Sequence, residues 1–464
     1  MYQLSKLKGM NRMARRGARR LLPVTAALAL VLPAAAACTS TGSNSSQNVD
    51  NVNTSGSHAP VTLEMWTFSH KQNQLDADQA ALAKLHAKYP WLTVHLTGSK
   101  SDSDFAKAAT AGNPPDIMFS PSTQYLETFA HDGTIADLTH LIAGGPVDVS
   151  KTVLAPAMAA LTMDGKQWAL PLTGDAYMLY YNKKLFAAAG ITAPPKTLSE
   201  LRADAEKLTV RDSGGNITQF GFVPNVDYDN NVSIYAGVYS GTHFYDGSGV
   251  PTVATDSNWG KLLDWDKSLI DYYGSGAINK FVAQYNPHSE DAGNPFGKGA
   301  VAMEFNGEWH TAQLKNFTPD VDYGIAPMPV LDGQTTSSYG VADIEMSPVY
   351  VAAKSKHIAE AFLATEFLTT DTTVVDDMST AFGAVPSTTD AIKNWQLASD
   401  PHFASMIQAF QNPGSYGHPV DLSAGADVNA WQAFIGQYES GKASAKNLPD
   451  IATKMKNIVA QATN

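Results

Sequence analysis

Residues 168–209 read WALPLTGDAYMLYYNKKLFAAAGITAPPKTLSELRADAEKLT, and the order of elements in this stretch decides what the rest of the chain must be. Tyr177-Met178-Leu179-Tyr180-Tyr181 is short, dense in aromatic and apolar side chains and followed by Asn182, as a strand buried on both faces is. Lys184–Ala189 then has the composition of a short helix, ended by Gly190, whose lack of a Cβ suits a left-handed cap. Pro194-Pro195 forbids helix, and Thr197 stands three residues before Glu200, the spacing of a capping box that opens the next helix. Strand, turn, strand and helix in this order predict an α/β protein.

A Pro-Leu pair, an acidic residue, an aromatic strand ending Tyr-Asn-Lys, then Leu-Phe, Ala-Gly-Ile and Pro-Pro-Lys-Thr resemble the extracellular solute-binding proteins of ATP-driven sugar importers, the maltose-binding-like group. Later segments repeat the likeness in order: Asn113-Pro-Pro-Asp-Ile, Phe296 to Met303 with Asn306-Gly-Glu-Trp309, Tyr323 to Pro329, and Ala361-Phe-Leu with Gly383-Ala-Val-Pro386. The resemblance runs from Val61 to the C-terminus. It implies a two-lobe, periplasmic-binding-protein-like fold with a ligand cleft between the lobes, crossed near Thr173, Leu331 and Pro386. Lobe 1 is then expected to hold residues 60–173 and 332–386, and lobe 2 residues 174–331 and 387–464.

Residues 1–37 carry Lys6, Lys8, Arg12, Arg15, Arg16, Arg19 and Arg20 without an acid, then the apolar run Leu21–Ala37. A basic region, a short apolar region and small residues before a cut describe a secretory signal peptide, too short for a stable membrane span. Cys38 is the single cysteine, so no internal disulfide is expected, and its place after Ala35-Ala36-Ala37 resembles a lipoprotein processing site. Such sites usually carry Leu where Ala35 stands. The paired arginines weakly resemble a twin-arginine export signal. Residues 39–59, small and polar throughout, cannot bury enough apolar surface to order and read as a tether.

The formal net charge is −12, and removing the seven positive leader charges leaves −12 − 7 = −19. Such an acidic surface disfavours phosphate backbones and anionic lipids and favours solubility outside the cell. The 44% hydrophobic content is ordinary for a globular chain, and the remaining length accommodates two domains of roughly 200 residues.

Val61–Trp66 alternates apolar and polar residues and predicts the first strand, Gln72–Tyr89 a helix stopped at Pro90, Thr93–Leu96 the second strand, and Ile117–Phe119 a short buried one. In open α/β sheets ligands sit beyond the carboxyl ends of strands. That rule nominates Ser69, His70 and Lys71 after the first strand, and Ser120, Thr123 and Gln124 after the third.

By resemblance, Asp175 occupies the place of a sugar-binding carboxylate, which accepts hydrogen bonds from two neighbouring hydroxyls. Its alternative is a cap for a turn after Gly174. Residues 221–231 align with a segment supplying a polar group and an aromatic: Tyr228 matches best, while Asp227, Asp229 and Asn230 compete for the polar role, against a solvated loop. Trp309 matches the tryptophan that stacks on a sugar ring, whose C–H face suits a flat, slightly negative indole. Gly340 and Asp343 lie in a segment resembling the glycine-containing loop that lines the cleft. Trp66, Trp259, Trp265 and Trp395 read as structural. Ile358–Thr369 has amphipathic periodicity, and near Val428 the family presents an aromatic that is missing here, Trp431 standing a turn later.

Asp227, Asp229 and Asn231 begin like a calcium loop, but Val232 replaces the turn glycine and no glutamate ends it. Gly293 to Gly299 has the wrong spacing for a phosphate loop, and Gly-x-Ser-x-Gly, His-Glu-x-x-His and paired cysteines are missing. No metal or cofactor is expected. The expectation is a monomeric extracytoplasmic lipoprotein, held to the membrane only through Cys38, that carries a mono- or oligosaccharide to an ABC permease and binds no nucleic acid. The rival is a secreted hydrolase using a carboxylate pair.

Overall fold

The computed structural model describes residues 58–163, 165–224, 243–246, 250–285, 292–412, 414–417 and 426–462. Its strands are β1 Val61–Thr67, β2 Leu92–Thr97, β3 Ile117–Phe119, β4 Thr162–Met163, β5 Lys166–Gln167, β6 Leu170–Ala176 and β7 Met178–Asn182. There follow β8 Val210–Arg211, β9 Ile217–Phe222, β10 Val301–Asn306, β11 Tyr323–Ala326, β12 Asp343–Val351, β13 Val385–Pro386 and β14 Tyr416–Gly417. They form a seven-stranded sheet ordered β13-β6-β12-β3-β1-β2, with β14 beside β12, and a five-stranded sheet ordered β11-β7-β10-β9-β8. β4 and β5 make a separate ribbon.

Local chemistry in residues 168–209 produces the expected order, with the strand and helix each shifted by a residue. β7 buries Met178, Leu179 and Tyr180 completely, each contributing about 1.5–3 kcal/mol. Asn182 accepts from the Leu185 amide at 3.1 Å and opens the helix Lys183–Ala188. Gly190 then takes φ 66°. In the capping box, Thr197 Oγ1 accepts from the Glu200 amide at 3.2 Å and Glu200 Oε2 from the Thr197 amide at 3.2 Å, which starts the helix Leu198–Leu208. Two strands and a long helix likewise fall where periodicity places them: β1, β2 and Gln72–Lys88.

The helix Ile358–Thr370 differs from its amphipathic reading, because every side chain from Ala361 to Thr370 is buried. It lies on β6 and β12 and is covered in turn by helices Gln72–Lys88 and Thr372–Phe382, so no face meets water.

Gly174 and Asp175 form no turn. Both lie within β6, where Gly174 pairs with Met346 and Asp175 with Glu345 of β12, so the turn-cap alternative for Asp175 falls. The glycine is needed for packing: a Cβ there would stand 2.1 Å from the Phe410 ring. The chain leaves the large sheet at Ala176 and enters the small one at Met178, so Tyr177 alone makes the passage. It returns between β11 and β12.

Candidate functional site

β6 runs antiparallel to β12, which runs antiparallel to β3, and β3 is parallel to β1. The carboxyl ends of β1, β3 and β6 and the start of β12 therefore share one edge. That edge carries Ser69–Lys71, Ser120–Gln124, Asp175 and Asp343. In the small sheet Asn306 at the end of β10 pairs with Met178 at the start of β7. The turn after β10 thus lands beside the end of β6.

There the structure brings together Asp175, Tyr177, Glu308 and Trp309. Glu308 is 1% exposed, and its Oε2 accepts from the Ala176 amide at 3.1 Å. Its carboxyl is also within hydrogen-bond reach of that of Asp175. Desolvation by burial raises both groups above the ordinary carboxylate range, Glu308 well above it with the Asp175 charge adding to the effect. Like charges in contact cannot both ionise cheaply. Trp309 opens the helix Trp309–Phe317 and is half-buried. Tyr177 meets its ring edge-on at 5.6 Å, and Gly307 lies beneath it so closely that a Cβ would stand 2.1 Å from a ring carbon.

The turn that presents the indole is held from behind. Tyr180 Oη donates to the Gly307 carbonyl at 2.8 Å and lies 3.1 Å from Thr311 Oγ1. Asn306 Oδ1 accepts from the Gly307 amide at 2.9 Å. Fully buried His310 places Nε2 2.8 Å from Glu304 Oε1 and Nδ1 3.0 Å from Gln313 Oε1. Buried networks of this kind fix a geometry because breaking any member strands another.

The other nominated residues divide by exposure. His70, Lys71 and Gln124 are exposed. Ser69 is fully buried, its Oγ 2.8 Å from Thr67 Oγ1, and Ser120 is fully buried, its Oγ 2.9 Å from Asp102 Oδ2. Thr123 is 3% exposed. These three sit beneath their loops. Burial raises Asp102 and Asp78 to about 6 each, Asp78 being the carboxyl beside Ser69 and Thr67. Asp343 is buried at the start of β12 beside Tyr416, and the half-buried Gly340, at φ 93°, offers its carbonyl to Asn412 Nδ2 at 3.0 Å. Asp227, Tyr228, Asp229 and Asn230 lie outside the described residues, as does Cys38.

Glu308, Gly307 and Tyr177 are the residues that sequence reading missed. Their only signal was a charged residue wedged between glycine and tryptophan. Trp431 is core, fully buried edge-on against Trp259, and Trp259 and Trp395 are core as expected. Trp66 packs half-buried against the core, with the Lys100 ammonium 4.5 Å over its ring. A cavity of about 460 Å³ lined by Tyr181, Lys183, Lys315, Tyr323 and His402 lies at the far end of β7 and is separate from this site. Among the described residues no His, Cys, Asp and Glu cluster could hold a metal, and no helix is long and apolar enough to cross a membrane.

Three known proteins show what this chain is similar to. A binding protein of Brucella abortus is 32% identical over 221 residues, 47% of this chain and 49% of that protein. The chain thus spans about half the length of the first curated relatives it matches. A maltotriose-binding protein of Pyrococcus abyssi is 22% identical over 71% of this chain and 67% of its own. The solved structure of CpMnBP1 with mannotriose bound superposes at a TM-score of 0.72 and 27% identity, covering 87% of this chain and 100% of the other. Such neighbours are two-lobe α/β binding proteins, the architecture built here from two sheets joined at Tyr177. The family described as bacterial extracellular solute-binding protein matches residues 80–405, well over half of the sequence, and the chain belongs to that family.

Proposed function

We propose that this protein binds an oligosaccharide between its two lobes and delivers it, chemically unaltered, to the permease of an ABC importer. The observation that carries the reading is the half-buried Trp309 indole, propped on Gly307 beside the Asp175 and Glu308 carboxyls where one sheet hands the chain to the other. An indole face for sugar C–H groups and a carboxyl for hydroxyl pairs are the two chemistries a carbohydrate needs. The ligands named for relatives, mannotriose and maltotriose, support the class. His70, Lys71 and Gln124 are exposed on the same edge and supply further polar contacts.

We take the lobes to be 60–173 with 332–386 and 174–331 with 387–464, except that β6 runs on to Ala176 in the sheet of the first and β14 pairs with β12 in that same sheet. Hinge closure, known for this class of protein, then follows from a ligand that touches both lobes and favours the closed form by its differential affinity for it. Cys38 anchors the protein by a lipid to the outer face of the cell membrane, residues 39–59 hold it clear of the surface, and it works as a monomer.

The hydrolase rival is disfavoured by geometry. Carboxyls that flank a glycosidic bond stand roughly 5–9.5 Å apart, whereas those of Asp175 and Glu308 lie within hydrogen-bond reach of each other. A thermal-shift screen of mono- and oligosaccharides, followed by calorimetry on those that stabilise, tests the proposal. Stabilisation by at least one oligosaccharide, with no new reducing ends after long incubation, is the expected result; new reducing ends would overturn it.

A further inference from the structure

Two acidic side chains, one near the end of a strand of the large sheet and one in the turn after a strand of the small sheet, meet at the passage between them, and among the described residues no cation acts on either. Glu308 Oε2 is satisfied by the Ala176 amide, while its Oε1 is buried with no hydrogen-bond donor facing it among the described residues. Asp175 is the group within reach. We propose that Glu308 is a positioning residue that holds one proton in common with Asp175, so that at neutral pH the two carboxyls carry a single negative charge and Asp175 is fixed toward the cleft.

The surroundings leave few other partners for that proton. Across β12 the register partner of Asp175 is Glu345, another acid. From β10, Glu304 is engaged with His310 and Asn306. From β7, Tyr180 gives its hydroxyl to the Gly307 carbonyl, and Tyr177 stacks edge-on against Trp309. Two ionised carboxylates here would repel, with Glu308 buried and Asp175 partly so. One proton between them turns the repulsion into a hydrogen bond, and the pair then titrates as a unit. The direction of both shifts agrees.

The consequence for binding rests on the proposed role of Asp175, but the proton itself does not. It is tested on the ligand-free protein by following ¹³C carboxyl shifts from pH 4 to 9, with Glu308→Gln and Asp175→Asn used to assign the two signals. The expected result is one proton held by the pair at pH 7. Two ionised groups at pH 7, or two protonated ones, would overturn the proposal. A second readout is thermal stability. The folded pair keeps a proton that the unfolded chain releases near pH 4, so its contribution is complete at low pH and lost as the pH rises through the folded titration. Glu308→Gln should flatten that dependence, and an unaltered pH profile of the melting temperature in this variant would count against proton sharing. Mannotriose calorimetry on the same wild-type samples separates the two claims. A shared proton without binding removes mannotriose as the ligand and leaves the pair; binding with both groups ionised removes the pair and leaves the carbohydrate reading. If both hold, affinity should fall tenfold per pH unit once the proton is lost.

Discussion

Replacing Gly307 by alanine drives a methyl group into the indole of Trp309. The new Cβ would lie 2.1, 2.3 and 2.5 Å from three ring carbons, against 3.4 Å for the onset of ordinary contact, so something must move by about 3.4 − 2.1 = 1.3 Å. Gly307 is not among the residues with positive φ, so the strain enters through the ring alone. The turn is fastened by Tyr180 Oη on the Gly307 carbonyl and by Asn306 Oδ1 on its amide, whereas the indole is half-exposed. The ring therefore yields first. Stability should fall at the low end of the range of about 1–3 kcal/mol for an overpacked site, which in a lobe of roughly 200 residues lowers the melting temperature by about 2–4 °C per kcal/mol. Binding should suffer more in proportion, because a displaced stacking surface forfeits about 1.5 kcal/mol, roughly tenfold in Kd. Calorimetry with a sugar that stabilises the wild type measures this. A crystal structure showing the ring displaced, together with an unchanged Kd, would refute the stacking role of Trp309.

Trp309→Ala and Asp175→Ala should each weaken binding of that sugar while far-ultraviolet circular dichroism stays unchanged; unaltered affinity in both variants would remove this site. Cys38→Ser should move the protein from the membrane fraction to the medium of cells expressing the full chain, and persistence on membranes would exclude the lipid anchor. Asp102→Asn should stabilise the protein at pH 8 by up to about 3 kcal/mol, since burial raises this carboxyl from 3.8 to about 6 and each unit is worth 1.36 kcal/mol. The sign follows from linkage: the raised group contributes fully below pH 4, and that contribution is lost as the pH climbs to about 6. The amide oxygen can still accept from Ser120 Oγ, which donates to Asp102 Oδ2 in the wild type. Melting curves at pH 4.5 and 8 should show a gain only at the higher pH.

What could be read from the chain and what could not divide along sequence separation. The capping box at Thr197 and Glu200 and the Asn182 cap join residues three apart, and the aromatic run of β7 announces its own burial. Each is a local signal with a fixed spacing, so these elements were legible to within a residue of their ends. The carboxyl-end rule also put the loops after β1 and β3 on one edge, the edge where β6 ends. It could not say which hydroxyls would face a ligand, because that depends on partners from elsewhere: Thr67 takes the Oγ of Ser69, and Asp102, on the helix Asp102–Thr110, takes that of Ser120. The helix Ile358–Thr370 was misread for the same reason, its outer face being covered by helices whose docking no periodicity announces. Glu308 is the sharpest case. Its bond to Ala176 spans 132 positions and exists only because Asn306 and Met178 are register partners in the small sheet while Ala176 ends a strand of the large one. Sequence patterns report what a residue does to its neighbours along the chain. A site formed at the seam of two sheets is made by neighbours across it, and its acidic half therefore emerges only once both sheets are folded.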